Sequence, residues 1–334
     1  MRGEDLRVCR ERKDASQADF AAWLNDRLGR RYDKQRVSRW EVGAEKIPVA
    51  VADLVSAELR VLASTHGPGI TIIAANQKGG VAKTATCVNT ATLLARRGYR
   101  VLLIDSDPQA NATMHLGIDP LQAEKDGKSL RDVFEDRATM RDIIHVVPSS
   151  GLEVVAASPM LSVVEGALAT DSTSGLILRS HLVDLKREYD FIIIDCPPNL
   201  GPMTQNGVVA ADALIIPCQT EMLAIAGVGL LMMTVDKHRR RSNPHLRIIG
   251  ILPTMYQSGL QQHQIGMEAI EQQYGKSYRI FPAVPRATAY GDAVMNGRAA
   301  VDMPGLRGLA ALETVADAFI EERKTILGAV HVNV

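Results

Sequence analysis

The stretch Thr71-Ile-Ile-Ala-Ala-Asn-Gln-Lys-Gly-Gly-Val-Ala-Lys-Thr84 decides the fold. A β-branched run enters a turn that holds Gly79 and Gly80, and a helical pattern leaves it. Glycines let the backbone approach phosphate oxygens, and the N–H groups at a helix start point at an anion. Lys83 then opposes the β- and γ-phosphates, and the Thr84 hydroxyl is a ligand for Mg2+. The plain spacing G-x-x-x-x-G-K-[ST] is not met, because Gln77 and Ala82 stand where its two glycines belong. A glycine-rich turn that binds nothing is the competing reading.

Two further apolar runs end in carboxylates. Arg100-Val-Leu-Leu-Ile-Asp-Ser-Asp-Pro-Gln-Ala-Asn-Ala-Thr113 delivers Asp105 and Asp107, and Phe191-Ile-Ile-Ile-Asp-Cys-Pro-Pro198 delivers Asp195. Open α/β sheets bind ligands at the carboxyl ends of their strands. Each Asp could instead be a helix cap or turn residue, but three such sites in this order argue for one phosphate centre. Cys196 beside Asp195 reads as packing rather than as a metal or redox residue.

Strand-sized runs recur at Ile70–Ala75, Arg100–Ile104, Leu152–Ala156, Phe191–Ile194, Ala213–Ile216 and Arg247–Leu252. Helical stretches separate them, among them Thr84–Arg97, Thr173–Glu188 and Gly227–Arg240. The order predicts an α/β domain over residues 70–330, with a mostly parallel sheet covered on both faces. Before the small-residue boundary Ser64-Thr-His-Gly-Pro-Gly69 the pattern is helical throughout, which predicts a small all-α domain over residues 1–66.

The glycine turn resembles the deviant Walker A pattern K-G-G-x-x-K-[ST] of the ParA/MinD family of P-loop NTPases. The resemblance runs from Ile70 to about Ile320. It implies an ATPase, weak until a partner stimulates it, that binds ATP and Mg2+ and pairs as a nucleotide sandwich. Gly79, Gly80, Val81, Ala82, Lys83, Thr84 and Ala85 would hold the phosphates. Lys78 would be the extra lysine that reaches the partner's phosphates and serves catalysis. Asp105 would sit near the magnesium shell with Thr84, Asp107 would position the attacking water, and Asp195 would hold a magnesium-bound water. Ala213-Leu-Ile-Ile-Pro-Cys-Gln-Thr-Glu221 is similar to the family strand and loop after the switch. Gly250-Ile-Leu-Pro-Thr-Met-Tyr256 and Ala283-Val-Pro-Arg286 are similar to the loops near the base. They place adenine around Thr254, Met255 and Pro285.

Ser16-Gln-Ala-Asp-Phe-Ala-Ala-Trp-Leu24 followed by Tyr32-Asp-Lys-Gln-Arg-Val-Ser-Arg-Trp-Glu41 resembles the helix-turn-helix of Cro and phage-repressor proteins. Ser16 with Asp19 makes a box-like helix start, and Asp33 would cap the recognition helix. Phe20, Ala21, Leu24, Val37 and Trp40 would form the core. Lys34, Gln35, Arg36, Ser38 and Arg39 would then face DNA, with Gln35 and Arg36 suited to base edges and Gln17 to phosphate. Six basic residues and one acidic residue lie between Arg27 and Arg39, a local electrostatic footprint. Asn25–Arg31 lengthens the turn relative to compact members. A helical docking domain with a solvated basic face is the alternative.

Composition sets the remaining bounds. The 334 residues are 46% hydrophobic and only 4% aromatic, and the formal net charge is +0. Any nucleic-acid signal must therefore be local. Cys9, Cys87, Cys196 and Cys218 are far apart and form no C-x-x-C pair, which argues against a disulfide framework or zinc site. No apolar run spans a bilayer, so a cytoplasmic, nucleoid-associated protein with no membrane partner is expected. The family often places an Arg after the Thr254-Met-Tyr256 loop, where this chain reads Gln257-Ser-Gly-Leu-Gln-Gln262. Arg239, Arg240 and Arg241 of the Lys237–Arg241 cluster, with Arg286 and Arg298, are the substitutes for non-specific DNA binding, though the cluster could equally be a solvated helix end. Together these readings predict a DNA segregation ATPase that binds an operator for autorepression, with a ParB-like centromere-binding or adaptor protein as partner. The alternatives are a ParA-like ATPase that positions another cargo, a nucleotide-responsive transcription regulator, and a MinD-like membrane switch. The last needs a basic amphipathic C-terminal helix, and Phe319–Val334 is weakly basic at best.

Overall fold

The structure is a computed structural model that describes residues 3–13, 15–64, 67–148, 150–170 and 174–332. Thr65 and His66 of the expected boundary, Thr173 and the terminal Asn333 and Val334 lie outside the described residues. The chain divides into two compact units. One runs to Gly67 and includes Leu94–Arg100, and the other is the remainder.

The N-terminal helices are α1 (Gly3–Arg12), α2 (Gln17–Leu28), α3 (Lys34–Glu41) and α4 (Val49–Ser64). Ser16 starts α2 with a reciprocal capping box: its side chain accepts from Asp19 N–H, and the Asp19 carboxylate accepts from Ser16 N–H. Asp33 caps α3 by accepting from Arg36 N–H at 2.8 Å. Phe20, Ala21, Leu24, Val37 and Trp40 are buried together with Leu6, Cys9, Val51, Val55 and Leu59. The turn differs from expectation. Asn25 is helical, and α2 continues to Leu28 before Gly29 ends it at φ 61°. Asn25 instead braces the connection, donating to Tyr32 O at 2.8 Å and accepting from Tyr32 N–H at 2.6 Å.

The second unit holds β1 (Ile70–Ala74), β2 (Val101–Asp105), β3 (Ile144–Val146), β4 (Glu153–Val155), β5 (Phe191–Asp195), β6 (Ala213–Gln219) and β7 (Arg247–Thr254). Among the described residues they form one seven-stranded sheet in the order β3-β4-β2-β5-β1-β6-β7. Every pairing is parallel except β3 with β4. β1, β2 and β5 are buried along their whole length, as a sheet covered on both faces requires. β3 has no sequence signal because it is three residues long, lies at the edge and is only partly covered.

Helices follow the strands: α5 (Lys83–Arg96), α6 (Asn111–His115), α7 (Pro120–Lys125), α8 (Leu130–Phe134), α9 (Leu161–Leu168), α10 (Ile177–Leu182), α11 (Pro202–Ala210), α12 (Met222–Arg241), α13 (Gln261–Tyr274), α14 (Ala289–Met295) and α15 (Leu309–Val332). The stretch expected as one helix to Glu188 is broken into α10 and flanking 3-10 turns. Lys186 anchors the break, its ammonium on Asp212 and its carbonyl on Gly69 N–H. At the C-terminus the backbone stays helical to Val332.

Candidate nucleotide site

Register brings the end of β1, which leads into the glycine loop, beside the two carboxylate-bearing strand ends of β5 and β2. Ala74 at the end of β1 pairs with Asp195 of β5, and Asp195 pairs with Asp105 of β2. The loop after β1 is tied from below and behind. Asn76 donates to Pro217 O at 2.8 Å and accepts from Lys78 N–H at 3.1 Å. Thr254, at the end of β7, donates its hydroxyl to Val81 O at 3.0 Å. Gly80 adopts φ 74° and Ala82 φ 64°. A left-handed Ala costs roughly 1–2 kcal/mol relative to an ordinary backbone, so the loop holds strain where a phosphate cradle bends toward its ligand.

Lys83 is 6% exposed and donates to Lys78 O at 3.2 Å. Burial holds its pKa below the usual lysine value, and the charge of Asp195 opposes that fall. Asp195 is fully buried, and neither carboxylate oxygen has a hydrogen-bond partner. Burial raises its pKa, the neighbouring Asp105 adds to the rise, and Thr84 and Lys83 oppose it. A buried carboxylate with both oxygens unmet, beside a threonine hydroxyl, is a hard oxygen donor set of the kind that suits Mg2+. The residues present therefore fit the ion.

Asp105, expected near the magnesium shell, is held by hydrogen bonds within the chain. Its Oδ2 accepts from Thr113 N–H and Oγ1, both at 2.8 Å, and its Oδ1 accepts from Asp107 N–H at 3.1 Å. Those bonds fix the switch loop, because Thr113 Oγ1 also accepts from Ala157 N–H. Asp105 thus acts as a brace for Asp107. Asp107 is 6% exposed and lines the cleft. Cys196 is buried, and burial pushes its thiol up to about 12, so it stays protonated and inert.

The cleft encloses about 510 Å3. Gly80, Val81, Ala82, Lys83, Thr84 and Ala85 form one end, and Thr254, Met255, Pro285 and Arg286 line it too. Met255 is left-handed at φ 54° and its Sδ accepts from Gln219 Nε2 at 2.9 Å. Tyr256 pairs with Pro285 as an isolated parallel bridge, which sets the two expected base loops side by side. Gly79 and Lys78 are not among the lining residues. Gly79 lies near Pro198, and Lys78 donates to Gln219 Oε1 at 3.0 Å and Glu221 Oε2 at 2.7 Å. His115, Tyr290, Gly291 and Val294 line the cleft without having been expected. Only a buried histidine so close after Asp107 could have flagged them.

The basic residues proposed for DNA do not converge. α12 starts beside the carboxyl end of β6 and ends before the start of β7. Its Arg239, Arg240 and Arg241 therefore lie toward the amino ends of the strands, opposite the carboxyl ends that carry the cleft. Arg239 donates to Leu246 O at 2.8 Å, while Arg286 and Arg298 are exposed on the loops near the cleft. In the N-terminal unit Lys34, Gln35 and Arg39 are exposed, and Arg36 and Ser38 are half-buried. Glu45 accepts from Arg36 Nε at 2.8 Å and pairs with Arg39 at 3.3 Å. Gln17 donates to the buried Glu41 at 2.8 Å, and Arg10 donates to Glu41 at 2.7 Å.

A family described as AAA domain matches residues 69–248. The chain is 37% identical over 232 residues to the sporulation initiation inhibitor protein Soj of Bacillus subtilis, covering 69% of this chain and 89% of that one. It is 41% identical over 184 residues to the chromosome partitioning protein ParA of Caulobacter vibrioides, covering 54% and 68%. Among solved structures, cobyrinic acid a,c-diamide synthase from Mycobacterium smegmatis with bound ATP analog and magnesium superposes with a TM-score of 0.66. That match is 31% identical and covers 77% of this chain and 96% of that one.

Proposed function

Because the chain belongs to the ParA/Soj family of AAA-domain proteins, we propose that it is a DNA segregation ATPase. In this reading it binds ATP and Mg2+, pairs with a second copy on ATP, and holds non-specific DNA as that dimer. A ParB-like adaptor stimulates its turnover, and residues 1–66 bind an operator while residues 70–330 carry the ATPase. The observation that carries the reading is that Lys83 and Asp107 line one cleft, while the buried, unpartnered Asp195 stands in register with Asp105 at the neighbouring strand end.

The geometry supports the following roles. The N–H groups of the loop before α5 bind phosphate oxygens, and Lys83 neutralises them from a buried position where its charge is weakly screened. Thr84 and Asp195 hold the magnesium, which when bound neutralises phosphate charge and orients the reacting oxygens. Asp107 orients a water, and the bonds from Asp105 to the Asp107 backbone and Thr113 keep it in place. Phosphoryl transfer needs that alignment more than a strong base. Lys78 does not line the cleft of its own chain, and in this reading it serves the phosphates of the second copy.

The exposed α3 residues and the local basic excess support the operator reading, and the arginines of α12 support non-specific DNA binding. No described helix is long and apolar enough to cross a membrane, and we place the protein on the nucleoid. Light scattering with ATP and Mg2+ tests the cycle. Asp107→Ala accumulates as an ATP-bound dimer, and an Asp107→Ala protein that stays monomeric with ATP overturns this role for the residue.

A further inference from the structure

Strand β6 lies between β1 and β7, and its last residue, Gln219, stands in register with Thr254 of β7. The half-buried Gln219 side chain joins the loops on its two sides. Its Nε2 donates to Met255 Sδ at 2.9 Å, and its Oε1 accepts from Lys78 Nζ at 3.0 Å. The two ends of the amide cannot be exchanged, because an ammonium only donates and a thioether only accepts. Met255 lines the cleft and Lys78 does not. One side chain therefore connects the expected base end of the cleft to a lysine outside it. The backbones around this bridge are fixed. Lys78 N–H donates to Asn76 Oδ1, and Lys78 O accepts from Lys83 Nζ. Beside Gln219, Thr220 Oγ1 and His263 Nδ1 share a hydrogen bond of 2.7 Å. Met255 is held left-handed at φ 54°, a conformation that a non-glycine residue keeps only where its surroundings impose it. What is left to move is the bridge itself, and its weakest link is the bond to sulfur, a poor acceptor.

We propose that Gln219 is a positioning residue through which the base of a bound nucleotide controls Lys78. The inference rests on the reading of the cleft as a nucleotide site. A base seated on Met255 displaces the amide from the thioether. The amide then turns freely and holds Lys78 less firmly, leaving Glu221 as the main partner of the ammonium. Phosphate alone, seated on the loop before α5, leaves Met255 and the bridge as they are. Lys78 is thus loosened for a second copy only once a whole nucleotide is in place.

Pulsed acetylation of the full chain, read at Lys78 by peptide mass spectrometry, tests this without hydrolysis. In the wild-type protein saturating ADP raises the Lys78 acetylation rate about five-fold, the worth of one hydrogen bond, and saturating pyrophosphate does not. Met255→Leu keeps an apolar side chain but no acceptor. Its Lys78 is acetylated about five-fold faster than in the wild type before any ligand is added, and ADP adds nothing. Gln219→Glu keeps an acceptor for Lys78 but cannot donate to sulfur, so its Lys78 is acetylated slowly with or without ADP. That variant serves as the test if Met255→Leu fails to fold. An ADP-driven rise that persists in either folded variant, a wild-type rate in unliganded Met255→Leu, or equal effects of ADP and pyrophosphate on the wild type would overturn the inference alone. So would an unchanged rate in wild-type protein that calorimetry shows to be saturated with ADP. Failure of the wild-type protein to bind ADP at all would overturn the nucleotide reading with it.

Discussion

Lys78 Nζ donates to Glu221 Oε2 at 2.7 Å and to Gln219 Oε1 at 3.0 Å, so one chain holds the ammonium that the proposed cycle sends to a second copy. The bond from Lys78 also keeps the Glu221 pKa below the usual glutamate value. Both side chains are partly exposed, 27% and 45%, so the pair contributes about 1 kcal/mol at most. Glu221→Gln should loosen this hold and tighten ATP-dependent dimerisation by a few-fold, about 1 kcal/mol. Sedimentation of the Asp107→Ala and Asp107→Ala/Glu221→Gln proteins across a concentration series with ATP measures it. A weaker dimer in the double variant would mean that Glu221 serves the paired state instead.

Lys83 and Asp195 are both buried, but their removal should be felt differently. Lys83→Ala deletes the charge facing the phosphates and should lower ATP affinity about a hundred-fold. Its melting temperature should hold, since burial already disfavours the ammonium. Asp195→Asn gives up no hydrogen bond made within the chain. It should fold normally, still bind nucleotide, and lose the gain in affinity that Mg2+ confers. Titration with and without Mg2+ separates the two, and an Asp195→Asn protein with full magnesium dependence would remove Asp195 from the ion's ligands.

The phosphate loop and the strands that carry Asp105, Asp107 and Asp195 were legible because buried parallel strands are short unbroken apolar runs, and polar residues at their ends stand out. The partners of Lys78 were not legible. Gln219 and Glu221 are distant in sequence, and only the parallel pairing of β1 with β6 brings them alongside. The bracing role of Asp105 was hidden for a related reason: a carboxylate that holds Thr113 and one that holds an ion look the same in sequence. β3 and the short helices α6, α7 and α8 carry too few residues for a period to show. In the N-terminal unit the caps Ser16 and Asp33 were readable from local chemistry, whereas the bonds by which Asn25 holds Tyr32 across the connection were not.

His115 makes stability depend on pH with a definite sign. Burial depresses its folded pKa to about 4 from an ordinary value of 6.5. Above pH 6.5 both folded and unfolded rings are neutral and contribute no difference. As pH falls below 6.5 the unfolded ring takes a proton that the folded ring refuses, so stability falls until about pH 4. At pH 5 the loss is about 2 kcal/mol relative to neutral pH. Asp105 and Asp195 have raised pKa values and act in the opposite direction, so the comparison must be made between variants. Urea unfolding of wild-type and His115→Phe proteins at pH 7.5 and 5 isolates the ring. The wild-type protein should lose about 2 kcal/mol more than the variant. Equal losses would show that the ring titrates normally.

Two DNA activities should separate along the chain, because their candidate residues sit on different units. In the proposed reading, operator binding falls to α3. Glu45 fixes the guanidinium of Arg36 and pairs with Arg39, so these side chains are held in place before DNA arrives. Arg36→Ala should weaken the operator complex by roughly 1–3 kcal/mol and relax base preference at one position, as for a two-pronged arginine contact. The proposed non-specific binding by the ATPase unit should require ATP, because pairing doubles the basic surface. It should also fall steeply with salt, since phosphate contacts release counterions. Charge reversal at Arg239, Arg240 and Arg241 should damage retention on random DNA and leave the operator footprint intact. Arg286 and Arg298 lie near the cleft, away from that cluster. Reversing them should affect nucleotide-linked steps first if the α12 end is the DNA surface. Footprinting and salt-titrated retention, each with and without ATP, distinguish the outcomes. A chain lacking residues 1–66 that still protects a discrete operator would end the assignment of specificity to α3, and ATP-independent retention by that same chain would end the proposed nucleotide control.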